Sequence, residues 1–75
     1  MGTTQRLTAI IEHEGDGYVA LCPEVDIASQ GDTIEQARSN LVEALTLFFE
    51  TASPSEIGRR LHSDILVTQV EVPVG

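Results

Sequence analysis

Residues 18–50 read YVALCPEVDIASQGDTIEQARSNLVEALTLFFE, and the fold turns on the point where the spacing of their apolar residues changes. Tyr18, Val19, Ala20, Leu21 and Cys22 form a short run of strand-favouring type. Pro23 cannot donate to a ladder, so it ends that strand or sits on an edge. Residues 25–30 read as another strand, short and partly polar. After Gly31-Asp32 the period lengthens from 2 to 3.6. Ile34, Ala37, Leu41, Ala44, Leu45 and Phe48 recur at three- and four-residue steps, one stripe of an amphipathic helix over about 33–51. Two pairs have capping-box spacing at its start, Asp32 with Glu35 and Thr33 with Gln36. Val42, Leu47 and Phe49 widen the apolar face towards the C-terminal half. That widening fits deeper burial or a contact between subunits, with Leu47 and Phe49 as the candidate oligomer residues.

Upstream, residues 5–13 (QRLTAIIEH) alternate in part, with Leu7, Ala9 and Ile11 on one side and Thr8, Ile10 and Glu12 on the other, as a strand does. Glu14-Gly15-Asp16-Gly17 then supplies a turn, because glycine and aspartate accept the backbone angles that tight hairpins require. Residues 5–22 are therefore a hairpin, and the strand at 25–30 extends it to a meander. Downstream, Ser53-Pro54-Ser55-Glu56 has a capping serine, proline at the first helical position and glutamate three residues after the cap, which starts a short helix over 54–61. Residues 64–72 alternate again, with Leu66, Val70 and Val72 on one face and Ile65 and Val67 on the other, and are expected to close the domain as a last strand. The expected class is α+β, antiparallel β-β-β-α-β with a minor helix, one sheet packed on one main helix.

At 75 residues the chain is expected to be one domain over 1–75. A domain this small buries only about 60% of its unfolded surface, and the single cysteine cannot form an internal disulfide. Oligomerisation is the expected remedy, as a homodimer or larger assembly. Twelve acids stand against four arginines, for a formal charge of −8. Binding to nucleic acid through the phosphates needs cations, so no direct nucleic-acid partner is expected. A basic partner is. No apolar stretch is long enough to span a membrane. The polar start MGTTQR does not have the layout of a signal peptide, and the expected location is the cytoplasm.

Little in the sequence suggests chemistry. Cys22, His13 and His62 allow a cysteine-histidine pair on paper, but no basic residue near Cys22 in sequence would lower its pKa, and a small packed thiol is the expected role. His13 reads as a strand-end surface residue, and His62 as a cap at the end of the short helix. Paired carboxylates could bind a cation, yet the spacing and glycine of a calcium loop are missing. Gly15 and Gly17 precede a strand, so they are no dinucleotide loop. Arg59 and Arg60 complement the dipole of the short helix. No catalytic residue, metal site or cofactor is expected, and the acids read first as a solvated rim.

Taken together, the Asp16-Gly17-Tyr18 entry to the second strand, Cys22-Pro23-Glu24, the string from Ser29 to Thr33, the glutamate-rich helix and the final VTQVEV resemble the HicB family of antitoxins, especially its short single-domain members. The likeness covers about residues 6–72. It implies a domain similar to a truncated ribonuclease-H fold, without nuclease activity. It also implies a partner, a small basic mRNA-cleaving toxin of the HicA type. Many members of that family carry a C-terminal DNA-binding segment. This sequence ends at Gly75 soon after the expected last strand, so that segment is expected to be absent.

Charge and resemblance lead to one expectation. A toxin that grips RNA presents positive charge, and an acidic domain of similar size can cover it. The candidate toxin-facing residues are Glu12, Asp16, Tyr18, Glu24 and Asp26, chosen for acid density around one exposed aromatic. The alternatives are a self-associating module whose partner is different and, further off, a hydrolase built on the clustered carboxylates.

Overall fold

The computed structural model describes residues 5–62 and 64–75. The polar start at 1–4 lies outside them. Three strands, β1 (Ile10–Glu14), β2 (Gly17–Cys22) and β3 (Ile27–Gly31), precede α1 (Ile34–Thr51) and α2 (Pro54–Arg60). The sheet is an antiparallel meander in the order β1-β2-β3. Its register pairs Ile10 with Leu21, Glu14 with Gly17, and Tyr18 with Gly31. Helix packed on sheet makes the fold α+β, as the sequence predicts.

Each element has a local cause. Gly15 has φ 59°, which turns β1 tightly into β2. Asp26 also takes a left-handed φ, 56°. An extended strand cannot pass through that conformation, so β3 begins at Ile27 rather than at residue 25. Of the two capping pairs, the chain uses Thr33 with Gln36. The Thr33 hydroxyl accepts from the Gln36 N–H at 3.0 Å, and Gln36 Oε1 accepts from the Asp32 N–H at 2.8 Å. At the other end the Ala52 N–H bonds to the Phe48 carbonyl, and Ser53 accepts from the Glu56 N–H to start α2.

The core is small and lies between α1 and the inner face of the sheet: Ala20, Cys22, Val25, Ala37 and Leu41 are buried. Leu7, Ile11, Tyr18, Ile27, Leu45, Phe48, Phe49 and Leu61 pack around it. Gly31 lets α1 sit so close. A Cβ there would stand 2.5 Å from the Ala37 nitrogen and 2.7 Å from the Gln36 Cβ.

Two further expectations about strands are corrected. β1 begins at Ile10 rather than Gln5, because the register carried two residues further sets Thr8 opposite Pro23, which has no N–H to give. The Thr8 N–H goes instead to the Glu24 carboxylate. The expected last strand at 64–72 does not form. Residues 64–75 run without helix or strand, and all of them are exposed. A helix satisfies its own backbone, whereas a strand needs a partner edge, and alternation in sequence does not provide one. The observed order is thus β-β-β-α-α.

Candidate protein-binding surface

Antiparallel pairing gives the sheet two unlike faces. Ala20 and Cys22 point to α1, so their neighbours Val19 and Leu21 point away. The register sets Ile10 beside Leu21, Glu12 beside Val19, and Ala28 and Gln30 on the other flank. Among the described residues no element covers this outer face. Ile10, Val19 and Leu21 are half-buried, and Ala28, Glu12 and Gln30 are exposed. It is an apolar strip edged by polar side chains.

Charge is unevenly placed around it. The β1–β2 turn and the β3–α1 junction lie at the same end of the sheet, because Tyr18 pairs with Gly31. That end gathers Glu12, Glu14, Asp16, Asp32 and Glu35, all exposed. A shallow recess of about 490 Å³ opens there, lined by Glu14, Tyr18, Gln30, Asp32 and Gln36 among others. Tyr18 is not the exposed aromatic expected: it is half-buried on the helix side of the sheet, packs against the core, and has its ring 4.9 Å from that of His13. The opposite end, some 17 Å away along β2 at about 3.4 Å per residue, carries three of the chain's four arginines, Arg6, Arg59 and Arg60, which offset the acids Glu24, Asp26, Glu50 and Glu56 there. There Arg60 donates to the Val25 carbonyl at 2.7 Å and to that of Asp26 at 3.3 Å, and its guanidinium lies 5.3 Å from the centre of the Phe48 ring.

The five candidate residues therefore do not form one group. Glu12, Asp16 and Tyr18 share the acidic end, whereas Glu24 and Asp26 lie at the arginine end. Asp26 is exposed, but Glu24 is buried, 8% accessible, which corrects its placement on a binding surface. Its carboxylate accepts the Thr8 N–H on both oxygens at 3.0 Å and the Thr8 hydroxyl at 2.6 Å. The Cys22 thiol also donates to it at 3.4 Å. Burial pushes the Glu24 carboxyl up, but the hydrogen bonds from Thr8 outweigh it and hold the group below the ordinary glutamate range. Burial and the neighbouring Glu24 push the Cys22 thiol up, so it stays protonated at neutral pH. Asp32 and Glu35 join the acidic end only through the register of β3, which no local pattern announces.

The two candidate oligomer residues separate as well. Leu47 and Phe49 are two positions apart on α1 and point roughly 160° from each other at 100° per residue. Phe49 lines an open groove of about 670 Å³ with Leu7, Val42 and Leu45, while Leu47 is 54% exposed on another flank. Among the described residues no group of three or more His, Cys, Asp or Glu is placed to hold a metal, and no helix is long and apolar enough to cross a membrane.

Among known proteins, the chain is 41% identical over 69 residues to the UPF0150 protein ssl0738 of Synechocystis sp., across 89% of this chain and 94% of that protein. It is 46% identical over 46 residues to the UPF0150 protein ssr1765 of the same organism, across 59% of this chain and 58% of that protein. No family model matches the chain, and no solved structure matches it.

Proposed function

The chain belongs to the UPF0150 family, and on that premise we propose that it is a binding protein of the HicB antitoxin kind, which silences a small basic, mRNA-cleaving toxin of the HicA type by covering its RNA-binding surface. One observation carries the reading: the acids Glu12, Glu14, Asp16, Asp32 and Glu35 are collected at one end of a sheet whose outer face is apolar and uncovered, while three of the four arginines sit at the other end. A domain whose acids are offset by arginines at one end and crowd the other turns the crowded end towards a cationic surface during approach. The strip of Ile10, Val19 and Leu21 then gives the contact a desolvated centre, which holds the complex once formed. The mode of action is occlusion, with no turnover by this chain, and it takes place in the cytoplasm, where the mRNA is.

The residues assigned to the toxin are Glu12, Asp16 and Tyr18, with Glu14, Asp32 and Glu35 added by the register. Asp26 belongs to the far end, and Glu24 acts in the fold. The test is co-expression with the product of the adjacent gene, followed by co-purification and a growth-rescue assay. The proposal expects a small basic toxin that co-purifies with the chain and whose growth arrest the chain relieves. Failure of the pair to associate, or RNA cleavage by the purified chain itself, rejects it.

A further inference from the structure

The segment 64–75 stands apart from the rest of the molecule. Leu66, Val70, Val72 and Val74 are 84, 79, 67 and 92% exposed, a run of apolar side chains that a folded chain does not leave in water without a use. The Cα radius of gyration is 14.5 Å, against about 11 Å for a compact chain of this length. The longest extent is 51 Å, although α1 accounts for only about 27 Å at 1.5 Å per residue. The segment is written as a strand. Leu66, Thr68, Val70, Val72 and Val74 alternate with Ile65, Val67, Gln69, Glu71 and Pro73, so one face is apolar but for Thr68 and the other turns polar halfway.

The body has a matching vacancy in its sheet. Glu14 and Gly17 close a two-residue turn as a hydrogen-bonded pair, so Glu12 and Ile10 also exchange their bonds with β2. The N–H and C=O groups of Ile11 and His13 therefore face the free edge of β1. The helix does not reach over this edge. It packs chiefly on β3 and β2, and the groove between its flank (Val42, Leu45, Phe49) and Leu7 is open. Ala9, on the helix side of the sheet, is exposed for the same reason. The edge and its lead-in run from residue 5 to residue 14, ten residues, and the tail from 65 to 74 is also ten.

We infer that the tail 65–74 of one copy adds to the sheet of a second copy at the β1 edge, with Leu66, Val70 and Val72 in the groove formed by Leu7, Val42, Leu45 and Phe49. The occupant is a second copy because the chain's own tail forms no strand on its own sheet and lies exposed in a molecule drawn out to 51 Å. Exchange about a twofold axis fills both grooves and caps both free edges at once. Phe49 is then a contact between subunits, and Leu47 is not.

The experiment combines sedimentation of the full chain at micromolar concentration with isotope-filtered nuclear Overhauser measurements on a mixture of ¹⁵N- and ¹³C-labelled copies. A mass of twice 8.1 kDa is expected, with cross-peaks between residues 66–72 of one copy and 9–13 of the other. Val70→Pro, which removes a ladder donor, is expected to weaken self-association at least tenfold while α1 and the meander keep their circular dichroism. A monomer overturns the inference, as do a dimer without those cross-peaks and cross-peaks confined within one copy. The outcome is independent of the toxin proposal, since it is read on the chain alone.

Discussion

Glu24, just past the end of β2, ties down the lead-in to β1 by taking three hydrogen bonds from Thr8, two from the backbone N–H at 3.0 Å and one from the hydroxyl at 2.6 Å. The contact spans sixteen residues of sequence and gives the Thr8 N–H an acceptor where the β1–β2 ladder stops. A buried charged acceptor with neutral donors contributes about 2 kcal/mol, and removing the charge leaves the donors poorly served. Glu24→Gln should lower the melting temperature by about 10 °C in a domain of this size. Thermal unfolding followed by circular dichroism measures it.

The same carboxylate sets a pH dependence. Its pKa is lowered in the folded chain, while in the unfolded chain it is near 4.3. The stabilisation is therefore full above that unfolded value and is lost as pH falls through the lower folded one. The gap in melting temperature between the natural chain and Glu24→Gln should be constant from pH 7 to about 5.5 and shrink below about 4.3. A gap that widens on acidification would contradict the assignment.

Cys22 is fully buried and its thiol pKa is raised by burial. Thiol reagents act on the thiolate of an accessible group. Labelling of the folded chain at neutral pH should proceed only as fast as the chain opens, and it should become rapid in denaturant. Fast labelling of the native chain would show that the core is not closed over Cys22.

Gly31→Ala tests the seat of α1. The added methyl meets backbone at 2.5 Å, which no side-chain rotation relieves. The helix must shift, at a cost of about 1–3 kcal/mol. Gly58→Ala is the control, because nothing lies within 4 Å of a Cβ there. In a helix alanine should be stabilising by up to about 1 kcal/mol. Chemical denaturation of the two variants should give shifts of opposite sign.

Most of the framework could be read from local spacing. The stripe from Ile34 to Phe48 gave α1, Ser53-Pro54 gave α2, and Gly15 gave the hairpin, because each depends on residues within a few positions of one another. What could not be read depends on distant partners. Burial of Glu24 depends on Thr8, and the gathering of Asp32 with Asp16 depends on the β2–β3 register. Residues 64–72 have a strand's alternation, but whether such a segment pairs depends on an edge that the sequence does not display. Leu47 and Phe49 look like one patch in sequence and lie on opposite flanks of α1, since neighbours two apart on a helix do not share a side.

The central claim is that the acidic end of the sheet covers a cationic, RNA-cleaving partner. The measurement that bears on it most directly is the affinity of the purified chain for that toxin at a series of salt concentrations, for the natural chain, for Glu12→Lys with Asp16→Lys, and for Arg59→Glu. The account predicts that affinity falls with salt, that the double lysine variant binds at least tenfold more weakly with a flatter salt dependence, and that Arg59→Glu at the far end changes neither by more than about twofold. Equal affinity for the natural chain and the double lysine variant at all salt concentrations would contradict it.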